Sequence, residues 1–311
     1  MRSDMLPVTQ WIADFTRIRQ SKSEPRKNIL RRIAPAIERR YFTYCLLRNS
    51  LETVAKKRIW PGMVKEALQH CYSGKSAAWT KIRDDHKDAV APRPFLCPYC
   101  LMRDPTTLDH FLPQGDFPEY AVLPANLVWV CYSCNLKKSD RLVTGVRDVL
   151  NPYFDPIPKT DPILFASIAV SVGQGPVIRF WIDTYLDDVT DAFLALARRH
   201  LDAFRLVPAY TLSASALMDG IISEIVRNNL IAIDQTSLTA ILEGRYEQFA
   251  TYPANSWEKA LLDAMRACPD LLTYINALIP SAQRLPLPPP RTQRGNLRSA
   301  ARAAATGFAA A

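Results

Sequence analysis

No stretch of the chain approaches the roughly 18 uninterrupted apolar residues that a bilayer-spanning helix requires, so a membrane-embedded protein is not expected. The first residues also lack the apolar run of a secretory leader, because Asp4 falls where that run would lie, and a cytoplasmic location is expected. No internal repeat is visible, which leaves repeat architectures out. A disulfide scaffold is disfavoured as well. The seven cysteines are odd in number, and four stand in paired CxxC spacing, a pattern that suits metal binding in a reducing compartment. Acidic residues are missing altogether from 284–311, which carry five Arg.

What is present suits a soluble globular chain. Its 311 residues can bury a sizeable core, and 48% hydrophobic with 22% charged residues is an ordinary balance. The net charge of +9 is unevenly spread. Residues 1–91 hold 19 Lys/Arg against 9 Asp/Glu, 92–150 hold 6 of each, and 151–283 hold 9 against 15. A basic N-terminal region beside a neutral centre suits a polyanion contacted from the N-terminal side. A solvated basic helical surface fits the same numbers.

The expected class is α+β, in a mainly helical chain with four regions: a basic helical region over 1–91, a central module over 92–150, a hairpin-plus-helices region over 151–284, and a disordered Pro/Arg/Ala tail over 285–311. In 34–55, Ile37, Tyr41, Tyr44, Leu47, Leu51 and Val54 recur every three or four residues and predict one amphipathic helix. Shorter helices are expected at 7–19, 62–72 and 76–85, with a hinge at 89–94. Beyond a proline-rich exit at 151–158, the spacing predicts a β-hairpin over 163–182, turning at Gly173–Gly175. Helices are then expected at 186–206, 211–232, 235–247 and 255–278. His200 lies beside the apolar stripe of the first of these and reads as a packed helix residue.

The densest information lies between Cys97 and Lys138. Cys97-x2-Cys100 and Cys131-x2-Cys134 offer four thiolates, which match a closed tetrahedral Zn²⁺ site with no position left for substrate. Four unligated cysteines or a redox CxxC are the alternatives, and no thioredoxin-like setting is visible for the latter. Between the knuckles, 108–113 reads as a short strand containing Asp109 and His110, and 127–130 as a second strand. A helix is expected from Asn135. Strand, loop, strand and helix thus lie in order, tied at both ends by the cysteines.

This segment, about 95–142, resembles the HNH or ββα-metal endonucleases. The resemblance is carried by the Asp109–His110 pair, Asn126 ahead of the second strand, both knuckles, and Asn135 followed by Lys138. It implies His110 as general base, and Asp109 and Asn135 as ligands of a catalytic Mg²⁺ or Mn²⁺. It further implies Asn126 as the brace of the loop and matches Lys138 to a lysine one turn after Asn135; Lys138 and its neighbours Lys137 and Arg141 are expected to contact the substrate backbone. DNA is the implied substrate, with RNA left open. HNH units joined to helical regions of this size resemble bacterial or phage defence, restriction and mobile-element proteins. A regulatory partner such as an ATPase, acting through 151–284, belongs to the same expectation.

The chemistry of the residues agrees. A neutral imidazole can take a proton from water near pH 7, and a carboxylate with an amide oxygen suits a hard divalent cation. Neighbouring strand residues point to opposite sides, so Asp109 and His110 serve one phosphate only if the strand ends or twists there. Simpler readings exist for each residue. Asp109 and Asn126 form turns in many loops, Asn135 could cap a helix, and Lys137, Lys138 and Arg141 could line a solvated face. A non-catalytic zinc module that binds nucleic acid or a partner protein is the competing reading of the whole segment.

Overall fold

The computed structural model describes residues 8–56, 60–90, 95–139, 146–171, 173–229 and 231–282. The expected tail from 285, most of the expected hinge and Arg141 lie outside the described residues. Four helices open the chain: α1 (Val8–Gln20), α2 (Arg26–Leu46), α3 (Gly62–Ser73) and α4 (Ala77–Val90). Along α2, Leu30, Ala34, Ile37, Tyr41 and Tyr44 are buried at the expected spacing. The helix ends at Leu46 rather than continuing to 55. Leu51 and Val54 still reach the core, from a 3₁₀ turn over Leu51–Thr53 and the residue after it.

The centre holds β1 (Thr107–His110) and β2 (Leu127–Val130), paired antiparallel with Asp109 opposite Val128 and His110 opposite Leu127. β2 leads into α5 (Tyr132–Lys138), which starts at Tyr132 with Cys131 in the N-cap position, so Asn135 lies inside the helix and does not cap it. Next come β3 (Leu164–Ser171) and β4 (Gln174–Ile182), the hairpin read from the sequence. Gly173 sits in its turn at φ +83, a left-handed backbone that glycine adopts without steric cost.

Five helices follow among the described residues: α6 (Asp191–Phe204), α7 (Leu206–Asn228), α8 (Gln235–Gln248), α9 (Trp257–Ala267) and α10 (Leu271–Ala282). Thr190 starts α6 by accepting the Phe193 amide, and left-handed Arg205 separates it from α7. The single helix expected over 255–278 is two, with Pro269 in the turn between them. By length and composition α7 could cross a bilayer. Its Tyr210, Ala214, Met218, Ile221 and Ile225 are nevertheless buried in the protein's own core.

The described residues make a mixed α+β chain with two small antiparallel sheets. Buried side chains from Trp11 to Ile279 form one continuous cluster that spans the N-terminal, central and C-terminal regions. Polar contacts cross in the same places. Glu119, fully buried, accepts from Arg40 Nε at 2.8 Å and from the Trp60 indole at 2.9 Å. Tyr44 donates to the Ala125 carbonyl at 2.9 Å. Further along, the Arg147 guanidinium pairs with Asp155 at 2.8 Å and lies 3.4 Å from Glu52.

Candidate metal centre and adjoining polar site

The four cysteines of the two knuckles meet in the core. Their sulfurs all lie within 4.8 Å of one another, and all four residues are buried. A tetrahedral zinc with ~2.3 Å bonds to sulfur would set its ligands about 3.8 Å apart, and Cys100 Sγ and Cys131 Sγ stand 3.9 Å apart. The first knuckle turns through Leu101, whose amide donates to the Cys97 carbonyl at 2.8 Å, with Leu101 itself left-handed. The second places Cys131 and Cys134 at the start of α5. Hydrogen bonds among the four sulfurs hold the Cys131 thiol below its ordinary value and push those of Cys100 and Cys134 above it. The donor set fits a closed structural zinc and offers no open position.

His110 ends β1, and its ring leaves the sheet on the side of α3. Its Nε2 lies 2.9 Å from the Ala121 carbonyl, and the edge of the ring meets Tyr72 with centroids 4.6 Å apart. A carbonyl oxygen only accepts, so Nε2 carries the proton and the lone pair of the neutral ring sits on Nδ1. Among the described residues Nδ1 has no hydrogen-bond partner, and the residue keeps 9% of its surface exposed. Burial pushes the imidazole below its ordinary pKa, against the upward pull of the Ala121 carbonyl and Asp109.

Asn126 lies where the sequence places a loop brace. Its Oδ1 accepts the Leu112 amide at 2.8 Å, and its Nδ2 donates to the carbonyls of Leu112 and Tyr120 at 3.1 and 3.3 Å. The loop that includes Ala121 is therefore tied to the end of β1, which orients His110 through the backbone.

Asp109 and the lysines depart from expectation. The Asp109 side chain is buried on the opposite side of β1, where Oδ1 accepts from Lys138 Nζ at 3.0 Å and Oδ2 from the Tyr99 hydroxyl at 2.8 Å. Lys138 also donates to the His110 carbonyl at 2.8 Å, and its side chain is fully buried. Expected on a substrate-facing surface, it is instead the counter-ion of Asp109, because the last turn of α5 packs flat under β1. Lys137 donates to the Phe204 carbonyl at the end of α6 and so is also engaged within the chain. Asn135 turns its amide nitrogen to Thr107 Oγ1 at 3.1 Å and the Leu108 carbonyl at 3.4 Å. Its amide oxygen, the atom expected to meet a cation, has no hydrogen-bond partner among the described residues.

Several residues that hold this site were not read from the sequence. Tyr99 sits between the cysteines of the first knuckle, and its place inside C-P-Y-C was the available signal. Tyr72 and His86 come from helices far upstream and carried none. His86 Nε2 lies 2.9 Å from the Leu127 carbonyl, which Tyr153 also reaches at 2.8 Å. His200 accepts the Leu150 amide at Nδ1 (3.1 Å), so its Nε2 donates to the Tyr99 carbonyl at 2.8 Å. Burial pushes the His200 imidazole down to about 4, against the upward pull of that carbonyl.

No protein-family profile matches the chain. A curated phage protein, "Protein ea31" of Escherichia phage lambda, is 39% identical to it over 62 residues, which are 19% of this chain and 21% of the phage protein. The match therefore spans about a fifth of that protein's length. No solved structure matches the chain.

Proposed function

We propose that the protein is an endonuclease of the HNH type that hydrolyses phosphodiester bonds in DNA, with His110 as general base. The observation that carries this reading is the hydrogen bond from His110 Nε2 to the Ala121 carbonyl. It assigns the free lone pair to Nδ1, the arrangement a base needs to take a proton from water as the water oxygen bonds to phosphorus and the leaving oxygen departs. The depressed imidazole pKa supports it, since the neutral form then persists at and below neutral pH. The strand–strand–helix order with a cysteine cluster at its base, and Asn126 as loop brace, support it as well. Exposed Arg26, Lys27, Arg31, Arg32 and Arg39 on α2 supply a sequence-independent attraction for a polyanion backbone.

A catalytic Mg²⁺ or Mn²⁺ on Asp109 and Asn135 does not fit the site as folded. The buried Lys138 ammonium already holds Asp109 Oδ1 and the Tyr99 hydroxyl holds Oδ2, whereas Asn135 engages only its amide nitrogen, with Thr107 and Leu108. The same closure favours a second reading, a zinc module that binds nucleic acid or a partner protein without cutting.

A plasmid-nicking assay with Mg²⁺ and Mn²⁺ separates the two. The nuclease reading expects cleavage by the parent protein and a loss of about a hundredfold or more in His110→Ala with zinc content unchanged. Equal cutting by the variant removes His110 as the base. No cutting under either metal, with salt-sensitive DNA binding that tolerates Asp109→Ala, selects the binding module.

A further inference from the structure

The β3–β4 hairpin turns one face to the core and the other to solvent. Ile178, Phe180 and Ile182 are buried, and the Phe180 ring meets Tyr210 of α7 with centroids 5.7 Å apart. Strand alternation then sends Val177, Arg179 and Trp181 outward. Their register partners Ala169, Ser167 and Phe165 complete the outer face. Val177 stays 52% exposed, Trp181 41%, and Tyr185, just beyond β4, 64%.

One end of this face is aromatic and acidic together. Phe165 lies nearly parallel to Trp181, with centroids 6.1 Å apart, and meets Tyr185 edge-on at 6.3 Å. The Tyr185 hydroxyl donates to Asp161 Oδ1 at 3.4 Å, so a carboxylate stands at the rim of the three rings. The segment that carries Tyr185 adds Asp183, Asp187 and Asp188, all exposed. Over 159–198 the chain holds five Asp against Lys159, Arg179 and Arg198. None of the five is in an ion pair among the described residues. Arg198 donates instead to the Ile182 carbonyl at 3.0 Å, and Arg179 lies one outward pair further along, on the side away from Asp183. Ring faces with carboxylates beside them suit an organic cation, because the rings attract its charge and cover its apolar stem. The same carboxylates repel a phosphate backbone.

We propose that the outer face of this hairpin is the docking surface for a basic segment of a partner protein, with a Lys or Arg side chain laid against Trp181 and Tyr185 and neutralised by Asp161 and Asp183. The charge complementarity selects the partner: an unpaired acidic rim around exposed rings favours a cationic side chain over an apolar or anionic one. The surface is separate from His110 and from the exposed cations of α2, and its assignment does not rest on the nuclease reading.

The test uses the full chain and a fluorescein-labelled peptide of Arg, Gly and Ser as the probe, followed by anisotropy. The parent is expected to bind it. The same peptide with citrulline in place of arginine keeps the shape without the charge and is expected to bind about tenfold more weakly. Trp181→Ala should weaken the arginine peptide about five- to tenfold. Asp161→Asn combined with Asp183→Asn should weaken it similarly and flatten its salt dependence. All three positions lie on the surface, and an unchanged melting temperature checks that the variants fold. No binding by the parent, equal binding of the two peptides, or equal binding by Trp181→Ala overturns the proposal. A single-stranded oligothymidylate that binds the parent but not Trp181→Ala makes the rings a base-stacking platform. Self-association lost in Trp181→Ala makes a second copy the occupant. Either of these results overturns the proposal as well.

Discussion

The Tyr99 hydroxyl donates to Asp109 Oδ2 at 2.8 Å, so a residue inside the first cysteine knuckle fixes the carboxylate of the neighbouring strand. Tyr99→Phe keeps the ring, which stacks on Phe204, and leaves one buried carboxylate oxygen unpartnered. The expected loss is about 1–3 kcal/mol of stability, with zinc content unchanged. Urea unfolding alongside metal analysis reads both quantities. A neutral result would mean that water replaces the hydroxyl.

Asn126 offers a sharper contrast, between two substitutions. Asn126→Ala removes three bonds and should cost about 2–3 kcal/mol. Asn126→Asp keeps the acceptor for Leu112 but turns a second oxygen toward two carbonyls that need a donor. The aspartate variant should therefore be less stable than the alanine variant, the reverse of what side-chain size alone suggests. Thermal unfolding of the pair decides it.

His200 makes stability depend on pH. Its folded pKa is about 4, against an ordinary value near 6.5 in the unfolded chain. Between those values the unfolded chain binds a proton that the folded chain refuses, so the contribution is present above about pH 6.5 and is lost as pH falls toward 4. The span corresponds to about 3 kcal/mol. His200→Gln, which can still accept from Leu150 and donate to Tyr99, should flatten this slope. Denaturant midpoints at several pH values would show the slope unchanged if another group is responsible.

Removing zinc should unfold more than the knuckles. The four sulfurs lie in the same continuous core as the helices on either side, and a structural zinc site commonly contributes its binding energy to folding. A strong chelator, or Cys134→Ser, is expected to lower the melting temperature of the whole chain in one cooperative transition. An early partial transition, with α7 and α9 still folded, would show that the core is not shared.

Much of this site is legible in the sequence, for reasons that differ by residue. The cysteines, the two strands and Asn126 were visible because metal ligation and a tight loop restrict both residue type and spacing. The hairpin at 163–182 was visible through its alternation and glycines. The opposed directions of Asp109 and His110 also follow from the strand period, and the structure keeps them apart on the two sides of β1. What failed was the direction of the lysines. A basic residue in the last turn of a short helix reads as exposed, and nothing local says that the helix packs on a buried aspartate. The break at Pro269 was readable and was overridden by a long apolar periodicity. Tyr72 and His86 were beyond reach, because local periodicity does not say which distant segment a helix face will meet.

The pair between Arg40 and Glu119 carries a further expectation. Glu119 is fully buried, and the Arg40 side chain is 17% exposed. Arg40→Met would leave the carboxylate with the Trp60 indole alone, at a cost of about 3 kcal/mol or more. The combined change with Glu119→Gln should be milder than Arg40→Met. Comparing the three variants by denaturant titration tests whether the pair acts as a unit.

Those upstream contacts also bear on how such a unit could be moved between proteins. Trimmed to 95–142, the segment would lose Arg40 and Trp60 from Glu119, Tyr44 from Ala125, Tyr72 from His110 and His200 from Tyr99. Several buried polar groups would be stranded at once, on faces that also need apolar cover. Zinc could still gather the cysteines, but nothing would set the tilt of the imidazole or the place of the loop. The segment is therefore not a portable cassette. Grafting it onto another scaffold would require carrying across the side chains of three helices scattered over more than a hundred positions of sequence.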